Sequence, residues 1–258
     1  MIITYKNTPI FYSDVGQGKP VVLLHGFLEN SSIWAPFIKH LSKHHRIICI
    51  DLLGHGQSHC MGYIHTMEMM ADAVHHVLSH LKISTCDLVG HSMGGYVALA
   101  LIDNYPQTVK GVLLVNSTSQ NDSDERRENR DRAIAAVKHD HKTFIRIAVS
   151  NLFNPEHKSK FQQQIEKVTE EALKIPVQGI IAALEGMKIR KNRTEVIGKF
   201  EHKKVIFISK KDPVLDYNSL LKEAQNAALK IVEFPDGHMS FIENEVLFSQ
   251  NLMHFIEY

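Results

Sequence analysis

The sequence predicts an α/β protein: a twisted, mostly parallel sheet of eight strands flanked by helices, with a block of helices inserted before the last two strands. Three observations carry this. Short continuous apolar runs (Val21-Val22-Leu23-Leu24, Ile47-Ile48-Cys49-Ile50, Val112-Leu113-Leu114-Val115) alternate with helical periods, as strands buried on both faces of a parallel sheet do. The stretch Cys86-Asp87-Leu88-Val89-Gly90-His91-Ser92-Met93-Gly94-Gly95 reads as a strand turning at once into a helix. After Asn116 the alternation stops, and residues 119–199 hold no convincing strand before the sheet resumes at Val205-Ile206-Phe207-Ile208-Ser209.

Bulk composition bounds the function. A chain of 258 residues is long enough for one large core plus an insertion. Net charge is +1, so no electrostatic footprint for nucleic acid or an anionic membrane is expected. No apolar run reaches the roughly 18 residues of a membrane span. Met1-Ile2-Ile3-Thr4-Tyr5-Lys6 lacks a charged segment followed by a long apolar one, so no signal peptide is expected. Three cysteines, Cys49, Cys60 and Cys86, read as reduced thiols in a cytoplasmic protein.

Taken in order, residues 2–5 and 10–13 form a hairpin joined by Asn7-Thr8-Pro9. Gly16-Gln17-Gly18-Lys19-Pro20 is a turn and not a phosphate loop, because a proline and a strand follow the lysine. The strand at 21–24 ends in His25-Gly26-Phe27-Leu28, and Ser31 and Ser32 can cap a helix through residue 42. Asp51-Leu52-Leu53-Gly54-His55-Gly56-Gln57-Ser58, after the strand at 47–50, is a supporting loop. Thr66 caps a helix through residue 82. His76 and His80 lie four apart on it, but with no third ligand at a fixed spacing they read as exposed, and no metal or cofactor is expected.

Within the insert, helices are expected at 121–138, 143–152, 155–173 and 177–187. The charge-dense run within 121–138 (Asp124, Glu125, Arg126, Arg127, Glu128, Arg130, Asp131, Arg132) reads as a solvated face. The insert is most simply a cap over the strand ends, with Phe144, Ile147, Phe153, Ile181 and Met187 as its inner face. This divides the chain into a core, 1–118 with 200–258, and a cap, 119–199. A helix at 219–229, a strand at 230–234 and a helix at 241–257 complete the core.

The chemistry centres on Ser92. Gly90 and Gly94 flank it where strand and helix backbones must nearly touch, so its hydroxyl is thrown clear of the sheet edge. A chain of this length shows Gly-x-Ser-x-Gly by chance about 0.1 times. Met93 N–H, at the helix N-terminus, can face a negative oxygen. The Phe27 N–H, in a loop just past a neighbouring strand, can aim at the same point. Asp212 and His238 each follow a later strand, at the edge where ligands meet open α/β sheets. Asp216 is the rival acid, whereas Asp236 lies too near His238 along the chain.

These pieces, His25-Gly26-Phe27, Asp51 through Ser58, Gly90 through Gly95, Asp212-Pro213-Val214 and Gly237-His238-Met239, resemble the α/β-hydrolase family, in particular its esterases and cofactor-free haloperoxidase-like members. The resemblance implies that Ser92 is the nucleophile, His238 the base, Asp212 the acid that orients it, and Phe27 and Met93 the oxyanion hole. It also implies a carboxylic ester substrate of small to medium size, with Leu28, Met239, Phe144 and Met187 as candidate substrate-binding residues. A C–C bond hydrolase, enol-lactonase or thioesterase on the same triad is the alternative, with Arg190 or Arg193 holding a substrate carboxylate. A ligand-binding protein without turnover is the third reading, weakened because no triad member is missing.

Overall fold

A computed structural model describes residues 1–257; Tyr258, the last residue of the expected core range, lies outside the described residues. The strands are β1 (Ile2–Tyr5), β2 (Thr8–Val15), β3 (Lys19–Leu24), β4 (His45–Ile50), β5 (Cys86–His91), β6 (Val109–Val115), β7 (Lys203–Ser209) and β8 (Lys230–Phe234). They form one sheet in the order β1-β2-β4-β3-β5-β6-β7-β8. β1 pairs antiparallel with β2, and β2 with β4; every other pairing is parallel. The apolar runs of β3, β4, β5 and β6 are almost wholly excluded from solvent, as two-sided cover requires.

The helices are α1 (Ala35–Leu41), α2 (Met67–His80), α3 (Met93–Asn104), α4 (Asp124–Ser150), α5 (Gln162–Ala172), α6 (Val177–Lys188), α7 (Thr194–Lys199), α8 (Tyr217–Asn226), α9 (Ser240–Glu243) and α10 (Glu245–Glu257). Helices α4 to α7 all fall between β6 and β7. Aromatic rings tie α10 to α1 and to the sheet: Phe248 meets Phe37 of α1 at 5.2 Å and Phe207 of β7 at 5.5 Å between centroids.

Several boundaries differ from the sequence reading for local reasons. The first hairpin turns at Lys6-Asn7, both at positive φ, and Thr8 and Pro9 belong to β2. Asn30, not Ser31 or Ser32, caps the turn before α1, accepting from Ser32 N–H at 2.9 Å. α4 breaks at Asp140 (φ −152°, ψ 89°), whose Oδ1 accepts from the N–H groups of Lys142 and Thr143 and so caps the second half. Pro155 lies in a turn, and regular helix begins only at Gln162. The last helix is interrupted at Asn244 (φ −145°, ψ 60°).

The insert is seated on the sheet side of the molecule through α6. A Cβ on Gly186 would lie 1.7 Å from the His65 carbonyl oxygen, and one on Gly179 would lie 2.2 Å from that of Gly54. Two turns of helix separate these glycines, so one bare stripe of α6 rests directly on the loop between β4 and α2. His65 N–H also donates to the Ala182 carbonyl at 2.9 Å.

Candidate active site

Ser92 sits between β5 and α3 at φ 49°, ψ −113°, a conformation L-residues rarely hold and one that costs about 1–3 kcal/mol. Its neighbours hold it there. Ser92 N–H donates to the Val115 carbonyl at 2.9 Å, and Ser117 Oγ donates to the Ser92 carbonyl at 2.8 Å. A Cβ on Gly90 would lie 2.5 Å from Gly94 O, and one on Gly94 would lie 2.5 Å from Leu24 O. Only glycine permits this approach, and the Ser92 side chain is left half-buried at the strand ends.

Asp212 and His238 meet beside it. His238 Nδ1 lies 2.8 Å from Asp212 Oδ2, with both side chains at most 2% exposed. Asp212 Oδ2 also accepts from Asn116 Nδ2, and its Oδ1 accepts from the N–H groups of Val214 and Leu215. Burial pushes the Asp212 carboxyl up, but His238 and these donors outweigh it and hold the carboxyl below its ordinary value. Asn116 is itself oriented by Ser240 Oγ, which donates to its Oδ1. Asp216 caps α8 instead, accepting from Ser219 N–H. No hydrogen bond runs from Ser92 Oγ to His238 Nε2, although both residues line one cavity; such contacts commonly tighten only with substrate bound.

The corner after β3 supplies backbone donors. Neither Phe27 N–H nor Met93 N–H makes a hydrogen bond among the described residues. His25 holds the corner by accepting from Leu52 N–H at Nε2 and donating from Nδ1 to the Gly26 carbonyl, a neutral tautomer in keeping with a pKa lowered by burial. Glu29 turns back on the same loop, where its Oε2 accepts from Gly26 N–H and lies 3.0 Å from His91 Nδ1. His91 Nε2 faces the His238 carbonyl at 3.1 Å, so both ring nitrogens donate. Burial opposes the charge on His91, but Glu29 outweighs it and raises the His91 pKa; the Glu29 carboxyl, also opposed by burial, is held low by His91. Sequence reading did not single out Glu29; its only signal is a carboxylate three residues after Gly26, within reach of that N–H.

Above Ser92 is a cavity of about 320 Å³. Phe27, Leu28, Tyr96 and Val214 form its apolar floor and side, and Ala133, Ala148, Leu152, Leu184 and Met187 come down from the insert. Leu28 and Met187 thus line it. Met239 does not, because it precedes α9 with its side chain wholly in the core, and Phe144 does not, because it packs a turn before Ala148 against the hydrophobic core. Ile147 is 57% exposed and faces outward, contrary to the expected inner face, while Phe153 is fully buried.

The charged residues are redistributed too. Arg190 is buried against Asp122 at 2.6 Å and over the Tyr96 ring at 4.2 Å, and Arg193 is buried against Glu68 at 2.6 Å; neither lines the cavity. Arg126, Asn129 and Arg130, one stripe of the supposedly solvated run, do line it. The Asp51 loop is structural: its carboxylate accepts from Ser31 and Gln57 N–H groups. Among the described residues no cluster of three or more His, Cys, Asp or Glu could hold a metal. No helix there is long and apolar enough to cross a membrane.

A family profile described as alpha/beta hydrolase fold matches residues 19–245. The chain is 27% identical over 175 residues to an (E)-2-((N-methylformamido)methylene)succinate hydrolase of Acinetobacter baylyi, covering 68% of this chain and 63% of that protein. It is 33% identical over 103 residues to a pimeloyl-[acyl-carrier protein] methyl ester esterase of Xylella fastidiosa, covering 40% and 38%. The chain therefore spans less than two thirds of either relative's length. Among solved structures it is similar to a thermophilic esterase from Thermogutta terrifontis, with TM-score 0.89, 27% identity and coverage of 96% and 92%.

Proposed function

The chain belongs to the alpha/beta hydrolase fold family, and from that premise we propose that it is a serine hydrolase cleaving a carboxylic ester of small to medium size through an acyl-serine intermediate. The observation that carries this is the His238 Nδ1–Asp212 Oδ2 contact at 2.8 Å, made beside a cavity that His238 shares with Ser92. The esterase relatives support the bond type.

In this reading the ester carbonyl enters beneath the inserted helices, which act as a cap spanning 119–199. Ser92 Oγ attacks it while His238 Nε2 takes the hydroxyl proton. Asp212 keeps the His238 Nδ1–H tautomer and stabilises the imidazolium. Phe27 and Met93 N–H groups receive the oxyanion, where the loss of one donor typically costs about 3 kcal/mol of barrier. His238 hands its proton to the leaving alcohol. Water, deprotonated by the same imidazole, then releases the acid and restores Ser92. No cofactor enters the cycle. A cytoplasmic location belongs to the same proposal, supported by Cys49, Cys60 and Cys86, all free.

A fluorophosphonate probe tests the reading. Mass spectrometry is expected to find the adduct on Ser92, and Ser92→Ala is expected to lose both the adduct and p-nitrophenyl butyrate turnover. An unlabelled wild-type protein, or full turnover by the alanine variant, overturns it.

A further inference from the structure

The cavity over Ser92 carries more positive charge than its own carboxylates balance. Asp122, with its side chain fully buried just before α4, is shared by three guanidinium groups. Arg190 takes its Oδ1 at 2.6 Å and Arg130 Nε takes its Oδ2 at 2.8 Å. Arg126 Nε lies 3.3 Å from Oδ1, and its Nη1 donates to the Val214 carbonyl. Burial pushes the Asp122 carboxyl up, but Arg130 and Arg190 hold it low, so it is a fixed negative hub. One charge cannot neutralise three.

The surplus is unevenly placed. Arg190 is buried and does not line the cavity, whereas Arg126 and Arg130 line the same cavity as Ser92 and His238, with Asn129 between them. The Nη groups of Arg130 make no hydrogen bond among the described residues; only its Nε is used. Asp122 does not line the cavity, and the carboxylate that does, Glu29, is already paired with His91. A guanidinium pre-positioned by a buried carboxylate, with its Nη edge free, is the geometry that takes a carboxylate by paired charge-assisted bonds.

We propose that Arg126 and Arg130 form a carboxylate-binding subsite, so that the ester cleaved at Ser92 carries a second, free carboxylate, as a half-ester of a dicarboxylic acid does. The identity of the cleaved bond rests on the serine-hydrolase reading; the anion subsite rests on the Asp122 hub alone. In this arrangement the two arginines are specificity-determining, and no step of the chemistry passes through them. Half-ester and water yield the dicarboxylic acid and an alcohol, with the remote carboxylate unchanged.

The test compares methyl hydrogen glutarate, adipate and pimelate with methyl pentanoate, hexanoate and heptanoate. The purified wild type is expected to favour at least one half-ester over its neutral partner by tenfold or more in kcat/KM, mainly through KM, with the preference shrinking as salt is raised. Arg130→Gln and Arg126→Gln are each expected to lose most of that preference, with kcat/KM falling at least tenfold more for the half-ester than for the neutral ester, and Arg130→Lys to retain part of it. Circular dichroism and thermal unfolding report folding, and the more exposed Arg126 provides a second variant should Arg130→Gln fail to fold. Equal kcat/KM for charged and neutral esters in the wild type, or a parallel loss for both in folded variants, overturns the subsite. Calorimetric titration with adipate separates the two proposals. Binding that Arg130→Gln weakens tenfold upholds the subsite even if Ser92 is inert to the phosphonate; absent binding together with absent preference refutes it while ester turnover stands.

Discussion

Glu29 Oε2 lies 3.0 Å from His91 Nδ1, with each side chain about 1% exposed. The contact joins the backbone corner at Gly26 to the residue before Ser92, and His91 passes the connection to the His238 carbonyl. Three segments that must converge for the proposed chemistry are therefore held by one buried pair. A Cβ on Gly26 would fall 2.8 Å from both Glu29 Oε2 and His91 Nδ1, which leaves glycine as the residue that fits there.

Removing one partner is expected to be more harmful than a surface ion pair would suggest, because the other charge is left buried. Glu29→Ala should destabilise the fold by about 3–5 kcal/mol in chemical denaturation. The pH dependence follows from the directions of the two shifts. His91 is raised above its ordinary 6.5, so its contribution is complete below pH 6.5 and is lost as pH rises through the folded value. Glu29 is lowered below its ordinary 4.5, so its contribution is complete above pH 4.5 and is lost as pH falls through the folded value. The stability difference between wild type and a Glu29→Gln/His91→Gln double variant should thus be greatest between pH 4.5 and 6.5. A difference that stays flat as pH is taken well below and well above that window would show that the pair is uncharged.

Asp212→Asn should lower kcat by about 10⁴ with KM little changed, because a carboxamide cannot hold the His238 tautomer as a carboxylate does. The effect should be sharpened here by Asn116 Nδ2, which would then face the new amide in competition with His238 for its oxygen. Steady-state kinetics on p-nitrophenyl butyrate measures it, and a loss below tenfold would remove Asp212 from its proposed role.

Asn116 holds a left-handed backbone (φ 44°) that glycine also adopts. Asn116→Gly therefore keeps the loop while deleting the bond to Asp212 and the anchor from Ser240. The expected result is a fall in kcat of about tenfold at constant KM, together with a higher Asp212 pKa, because a donor to its carboxylate is lost.

Two glycine substitutions should act in opposite directions. Gly94→Ala would drive a methyl group to 2.5 Å from the Leu24 carbonyl oxygen, so a loss of about 3 kcal/mol or more is expected, with Ser92 displaced. Gly198 lies in α7 at no positive φ, and a methyl group added there would meet nothing within 4 Å. Gly198→Ala should stabilise by about 0.5–1 kcal/mol. Thermal unfolding of both variants beside wild type decides the matter.

Legibility in the sequence followed the range of the interaction. The buried strands, the Gly90–Gly94 elbow around Ser92 and the helix cap at Thr66 depend on residues a few positions apart, and the structure has each of them. The break at Asp140, between two expected helices, is equally local, since the residue caps its own successors. Where local signals were weak the boundaries moved, as at Pro155 and Asn244.

By itself the sequence determined the order of strands and helices, the interruption between β6 and β7, and the chemical types waiting at the strand ends. It could not determine which charges face the cavity. Arg190 pairs with Asp122 across 68 positions, and His91 with Glu29 across 62. Arg126 and Arg130 share the cavity lining with Ser92, an outcome of how the insert, seated through the bare stripe of α6, packs over the strand ends. The physical reason is that backbone periodicity is written in neighbouring residues, whereas the neutralisation of a buried charge depends on whichever distant side chain the packing brings to it.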